Sequence, residues 1–495
     1  MIREASPFSV SADDLENAFA NAAAFVAREY NSPSLRPIVP TISQSVFDGI
    51  IATALPENGM PLNALADHAQ DFLAHCTARL LPAGFSAMVT TSPNPYALLA
   101  DILACAVNQH LARGDVCEFA ARLEERAIQW IAQFTGYPAA SGTLTPGGAS
   151  ANLVALMAAR TAVLGKAGRN NGLNGTSLVA YASTESHISV ERAIDVLGIG
   201  TDNLRRLPVG SDFRVNTDAL RSAIASDRAA GHIPFAVIAQ GGSVTTGAVD
   251  PLSDIAQICS RENIWLHVDG AYGGAAAAVA PEIFAGLALA DSVTIDPHKW
   301  LYVNYDCGCV LTRRPLVLEQ AFGAETASYL RADSQTDAPD FMNRGIDFSR
   351  GFRALKVWAT FAGLGANKLR LAISQDIALA AKFGEMLAAD RRFEIVSQPS
   401  LSIVTFRFVP EDKPDRDYVN ALNSRMPSAL RKDGRIYLGS AQVAGATALR
   451  VCLINHRVTD RDLGAWLEII AEMGNALHRE RLDWWGASRS AQEIS

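Results

Sequence analysis

Four short segments of this 495-residue chain carry residue types whose spacing suits chemistry on a carbonyl compound. Lysine is scarce, with seven in the whole chain and none before Lys166. One of them closes the run Asp291-Ser-Val-Thr-Ile-Asp296-Pro297-His298-Lys299-Trp300, where a β-rich stretch ends in a polar loop. A lysine amine placed there can form a Schiff base with a carbonyl carbon. Thirty residues earlier, Ile264-Trp-Leu-His-Val-Asp269-Gly270-Ala271-Tyr272-Gly273 ends an apolar run in an aspartate and opens into small residues. An ionised carboxylate at that point keeps an aromatic ring nitrogen protonated and turns the ring into an electron sink.

The third segment, Thr143-Leu-Thr145-Pro146-Gly147-Gly148-Ala149-Ser150-Ala151-Asn152, places glycines where a helix begins. Backbone N–H groups at a helix start bind an anion such as phosphate, and the helix dipole helps. The fourth, Ser183-Thr-Glu-Ser186-His187-Ile-Ser189, sets a histidine between a strand and a helix, where an imidazole can stack on a ring. Singly, each has a plainer reading: a surface lysine, a helix-capping aspartate, a turn and a packed histidine. Together they are the set that pyridoxal 5′-phosphate (PLP) requires, namely a lysine, a phosphate cup and a carboxylate for the pyridine nitrogen. No dinucleotide fingerprint competes, because Gly198-Ile-Gly200 and Gly363-Leu-Gly365 both lack the third glycine.

These residues need a scaffold, and the hydrophobic pattern supplies one. From Gly142 to about Thr312, candidate strands at 178–182, 235–239, 264–268, 292–295 and 308–311 alternate with candidate helices at 189–197, 217–229 and 251–261. That alternation predicts an α/β fold with a mostly parallel sheet, whose ligands lie beyond the carboxyl ends of the strands. Residues 1–85 read as a helical arm, 86–375 as the large cofactor-binding domain, and 376–495 as a small α+β domain. A helix broken near Gly363 and Gly365 is expected over 352–386, and a capping box at Thr459 and Asp462.

Composition narrows the class. With 49% hydrophobic and 19% charged residues the chain is an ordinary globular protein, and a net charge of −8 argues against a nucleic-acid or anionic-membrane surface. The start of the chain has no apolar signal core. The small apolar run 273–280 is too short to span a bilayer. Seven scattered cysteines suit free thiols in a reducing compartment, so a cytoplasmic protein is expected.

With these segments in this order, the chain resembles the group II PLP-dependent decarboxylases, which act on aromatic amino acids, histidine or glutamate. Asp296-Pro-His-Lys-Trp-Leu, Val303-Asn-Tyr-Asp-Cys307 and Trp265-Leu-His-Val-Asp269 are most similar to the aromatic L-amino acid decarboxylases. The resemblance implies PLP fold type I and a homodimer with active sites at its interface, the N-terminal arm contributing to the dimer. It implies that Lys299 holds the cofactor, Asp269 pairs with the pyridine nitrogen, His187 stacks on the ring and Ala271 packs on its other face. Gly148, Ala149, Asp296 and His298 would form the phosphate side. Ser243 and Val244 stand where the family has two threonines, so a hydroxyl is missing at Val244. Thr91, Met88 and His110 match positions near the substrate.

Tyr329 matches a loop tyrosine that protonates the substrate carbon after the carboxylate leaves, a position that is phenylalanine in the related aldehyde synthases. The implied reaction is decarboxylation of an L-amino acid, most readily an aromatic one, to the amine and CO2. The alternatives are decarboxylation of an acidic or diamino acid (glutamate, aspartate or 2,4-diaminobutyrate), or decarboxylation-coupled oxidative deamination to an aldehyde. Arg350 and Arg353 match an Arg-rich helix start, where structural and substrate-contacting roles are both open.

Overall fold

A computed structural model describes residues 8–31, 36–323 and 336–480. Its larger sheet comprises seven of the strands, and its smaller one five. In chain order the strands are β1 (Phe85–Ser86), β2 (Ser141–Thr145), β3 (Leu178–Ser183), β4 (Leu204–Leu207), β5 (Ile233–Gln240), β6 (Trp265–Asp269), β7 (Ser292–Ile295) and β8 (Gly308–Thr312), then β9 (Phe393–Ser400), β10 (Ile403–Phe408), β11 (Tyr437–Val443) and β12 (Ala446–Cys452).

The large sheet has the order β2-β8-β7-β6-β5-β3-β4. Strands β4, β3, β5, β6 and β7 are parallel, and β8 runs antiparallel to both β7 and β2. All residues of β3 and β6 are buried, as expected for parallel strands covered by helices on both faces. The predicted strands and helices in this region are present. The sequence pattern missed β2, which leads into the glycine segment, and the short edge strand β4.

Register is what builds a site here. Gln240 at the end of β5 pairs with Asp269 at the end of β6, and Asp269 pairs with Thr294 on β7. The three strands therefore finish level. The loop carrying Asp296, His298 and Lys299 emerges beside Asp269.

The helix Gly148–Asn171 runs back beneath this edge. By length and composition it could cross a membrane, in contrast to the short run 273–280. It is instead a core helix: Ala151, Val154, Ala155, Leu156, Ala158 and Ala159 are buried in a cluster with residues of β3, β5 and the helix Ile188–Val196.

The smaller sheet has the order β1-β11-β12-β10-β9, so Phe85 and Ser86 pair with Tyr437 and Leu438 near the other end of the chain. The helix Arg353–Ala389 serves both units. Leu369 and Ile373 pack into the core of the large sheet, whereas Ala380, Phe383 and Leu387 pack into that of the small one. Gly365 breaks this helix with φ +76°, a conformation costly for any residue with a Cβ. The capping box at Thr459 forms, Asp462 Oδ2 accepting from the Thr459 N–H at 2.7 Å.

The sheet edge is braced from behind. Tyr272 stacks on Trp300 with centroids 5.1 Å apart, and the Tyr272 hydroxyl meets Ser402 Oγ of the small unit at 2.6 Å. Asp376 Oδ2 accepts from Trp300 Nε1 at 2.9 Å and Tyr302 Oη at 2.7 Å. Burial pushes the Asp376 carboxyl up to about 7, against the opposing pull of those two hydrogen bonds. A raised carboxyl stabilises the fold only while it is protonated. Stability is therefore lost as pH climbs from the unfolded value toward 7, and the loss is constant above that. Asp376→Asn keeps an acceptor without the charge. Its melting temperature is expected to exceed that of the parent at pH 8, by a margin that shrinks toward pH 4 in thermal scans.

Candidate active site

The level ends of β5, β6 and β7 open onto a cavity of about 430 Å³, whose walls include Gly148, His187, Asp269, Ala271, Lys299 and Arg450. Lys299 Nζ lies 3.0 Å from Asp296 Oδ2. Burial pulls the lysine ammonium down, but the Asp296 carboxylate, which also hydrogen-bonds it, and Asp269 outweigh this and hold it above its ordinary value. The amine is thus kept charged and in place until a carbonyl ligand takes it over.

His298 is fixed through Nδ1, which accepts the Cys307 N–H at 3.1 Å, and its ring lies 4.3 Å from that of Tyr305. Its Nε2 stands 3.6 Å from Asp296 Oδ2. Burial lowers the His298 imidazole below its ordinary value despite Asp296.

Asp269 uses both oxygens as acceptors, Oδ1 from the Ala271 N–H at 3.2 Å and Oδ2 from Asn152 Nδ2 at 2.8 Å. Opposite it, His187 caps the helix Ile188–Val196. Its Nδ1 accepts the Ser189 N–H at 3.2 Å and meets Ser189 Oγ at 2.8 Å. With Nδ1 accepting, the neutral ring carries its proton on Nε2 and offers that N–H to the cavity. Burial, opposed by Asp269, lowers this imidazole and favours the neutral form.

The glycine segment forms a cradle. A Cβ on Gly148 would stand 2.8 Å from Asp296 Oδ2 and 3.0 Å from the Ala271 Cβ, so only glycine leaves this floor open. Gly147, Gly148 and Ala149 all line the cavity at the helix start.

Not every expected residue joins them. The Ser243 hydroxyl accepts from the N–H groups of Thr245 and Thr246, at 3.1 and 3.4 Å, and is spent on its own turn. Gly242 and Val244 face the cavity instead. Thr91 lines a neighbouring cavity of about 340 Å³ that shares His298 and Tyr305 with the first. Met88 stands at the rim of the main cavity, 56% exposed. His110 lines neither cavity. It is exposed after the helix Pro95–Val107, its ring 6.5 Å from Phe348, and neighbouring Arg113 is paired with Asp115. Tyr329 lies outside the described residues.

Arg350 and Arg353 serve the scaffold. Arg350 forms a buried ion pair with Glu124 and also donates to the Leu144 carbonyl at 3.1 Å, while Arg353 grips both oxygens of Asp306 at 3.2 Å.

Sequence reading missed Asn152, His267, Gln240 and Arg450. Strand periodicity was the available signal for His267, since residues 265, 267 and 269 share one face of β6. Arg450 comes from β12, and nothing in its local sequence points across to the large sheet. Its Nη1 donates to the Val244 carbonyl at 2.7 Å.

A lysine across a cavity from a strand-end aspartate, with an imidazole on one wall and a glycine-floored helix start on another, defines a PLP enzyme of fold type I. The donors fit the cofactor: an anion-binding helix start, an acceptor for a protonated ring nitrogen, and an amine for its carbonyl. A family model described as the pyridoxal-dependent decarboxylase conserved domain matches residues 48–409. An aromatic-L-amino-acid decarboxylase of Bacillus atrophaeus is 32% identical over 92% of this chain and 94% of its own. A 4-hydroxyphenylacetaldehyde synthase of Rhodiola rosea is 28% identical over 88% and 90%. The crystal structure of Catharanthus roseus tryptophan decarboxylase in complex with L-tryptophan matches at 25% identity with a TM-score of 0.86, covering 95% of this chain and all of that one. The chain belongs to the pyridoxal-dependent decarboxylase family, is a PLP-dependent carboxy-lyase, and takes PLP as its cofactor.

Proposed function

We propose that the protein decarboxylates an aromatic L-amino acid to the amine and CO2, as a homodimer in the cytoplasm. The observation that carries the reaction is the placement of Lys299 and Asp269 on one cavity with the His187 Nε2–H beside them. PLP, when bound, supplies a ring that accepts the electron pair left by the departing carboxylate. Lys299 would hold the cofactor through its amine. Asp269 accepts the hydrogen bond of the ring nitrogen and so keeps it protonated. Gly148 and Ala149 present N–H groups to the phosphate. His187 and Ala271 would hold the ring between them, and the His187 Nε2–H would bind and orient the substrate carboxylate. Tyr329, by its sequence setting, returns a proton to Cα as an acid.

The aromatic preference is supported by the relatives and by the largely apolar neighbouring cavity, where Phe25, Val26, Tyr30, Leu81 and Pro93 adjoin His298 and Tyr305. Arg450 favours a second reading. Its Nε is buried without a hydrogen-bond partner, and a cation at the cavity suits an acidic side chain. Purified protein with PLP, offered single L-amino acids, separates the two. Higher kcat/KM for aromatic than for acidic substrates is expected, and the reverse order would favour the second reading.

Dimerisation is supported by the helix Pro95–Val107, which turns Leu99, Ile102, Leu103 and Val107 to solvent and carries Asp101 as its one charge. Light scattering is expected to give the mass of two chains; a monomer at micromolar concentration would contradict it. The seven cysteines are all free thiols, which supports a reducing compartment.

The relatives include both a decarboxylase and an aldehyde synthase, and the presence of a tyrosine at 329 supports amine as the product. Tyr329→Phe is expected to shift product from amine to aldehyde, with dioxygen and water consumed and ammonia and hydrogen peroxide released alongside CO2. An unchanged amine-to-aldehyde ratio by chromatography would remove the tyrosine from this role.

A further inference from the structure

We propose that Asn152, locked in one orientation by His267, is the positioning residue that fixes both Asp269 and His187 toward the cofactor. This inference rests on the PLP reading above. Asn152 sits one turn into the helix Gly148–Asn171, and its side chain is fully enclosed. Its amide nitrogen reaches Asp269 Oδ2 at 2.8 Å and Ser189 Oγ at 3.1 Å. Ser189 Oγ in turn meets His187 Nδ1 at 2.8 Å. One amide therefore touches the partner of the ring nitrogen directly and the stacking imidazole through a single hydroxyl.

The orientation of that amide is determined by its neighbours. A carboxylate oxygen only accepts, so the amide group facing Asp269 is the NH2 and the oxygen is turned the other way. Asn152 Oδ1 lies 3.0 Å from His267 Nε2, which must then carry a proton. Burial lowers His267 below its ordinary value, so the ring is neutral and Nδ1 is an acceptor. Ser292 Oγ, 2.8 Å away, donates to Nδ1 and itself accepts from Trp265 Nε1 at 2.9 Å. An indole N–H can only donate, so the chain of hydrogen bonds has a fixed direction from Trp265 through Ser292, His267 and Asn152 to Asp269. Every member is buried, and strand register places His267 directly opposite Ser292.

Without the His267 donor, Asn152 Oδ1 is left buried without that partner, and the contacts of the amide nitrogen alone hold the side chain in its orientation. The Asn152 side chain is then held less firmly, the grip on Asp269 weakens, and the His187 wall loosens with it. The chemistry on Cα is untouched by Asn152, which acts only through the two residues it holds.

The test compares His267→Leu, His267→Gln and Asn152→Leu with the parent, titrating each cofactor-free protein with PLP by tryptophan fluorescence and then measuring kcat and KM. The two leucine variants are expected to bind PLP about 10- to 100-fold more weakly, the range typical for residues that orient a ligand-holding group, and to lose kcat more than KM. His267→Gln presents an amide N–H to Asn152 Oδ1 and is expected to recover most of the affinity. Equal losses for leucine and glutamine at 267 would mean a packing role only and overturn the proposal, as would parental affinity in all three. If a leucine variant does not fold, Ser292→Ala is measured instead. It removes the donor to His267, and an affinity equal to the parent's would likewise overturn the proposal. Failure of the parent itself to bind PLP would instead overturn the cofactor reading.

Discussion

Lys299→Ala abolishes turnover and leaves the protein without the visible absorbance of the PLP-loaded parent. Two separate losses combine in this result. The first is the covalent anchor, since among the seven lysines Lys299 is the one whose Nζ lies in the cavity beside Asp296 and across from Asp269. The second is electrostatic: removing the ammonium leaves the buried Asp296 carboxylate, with Oδ1 already lacking a partner, facing the phosphate cup uncompensated. PLP affinity therefore falls as well as kcat. Absorbance and fluorescence titration measure both, and retention of turnover together with the visible band would contradict the assignment of Lys299.

Asp269→Asn has the second largest expected effect. The substitution keeps the shape and can still accept from the Ala271 N–H, but it carries no charge to hold the ring nitrogen protonated. It also sets one amide against another at Asn152, where the carboxylate had accepted at 2.8 Å. The barrier to losing the carboxylate rises because electrons have a poorer sink. A fall in kcat on the order of 10³-fold is expected, the size seen when a preorganised charge-stabilising group is removed, with a smaller change in KM. Steady-state kinetics at saturating PLP check it, and a loss confined to KM would place Asp269 outside the chemical step.

Much of this site was legible in the sequence because its chemistry sits in short contiguous runs. A strand end, a polar loop and an apolar helix are local features, so Lys299, Asp269, His187 and Gly148 could be placed at one sheet edge from pattern alone. What could not be read depends on distance in the chain. Arg450 reaches the cavity from β12, and Tyr272 is tied to Ser402, contacts that only the packing of the two units creates.

Other differences arose from how side chains spend their hydrogen bonds. Ser243 occupies a matching position, yet its hydroxyl closes its own turn. His110, which the resemblance sets near the substrate, lies exposed after the helix Pro95–Val107 and lines neither cavity. Asn152 and His267 give no local signal, because an asparagine early in a helix and a histidine within a strand look unremarkable until the helix packs on the sheet and sets them face to face. Arg350 and Arg353, with two readings open from sequence, proved to hold Glu124 and Asp306.

The most direct measurement follows the carboxyl carbon. Purified protein is incubated with PLP and a carboxyl-labelled aromatic L-amino acid, and label in CO2 is counted against amine formed. Equal amounts of labelled CO2 and amine, dependent on PLP and absent with Lys299→Ala, are the expected result. Label retained in a keto acid product would contradict a decarboxylase.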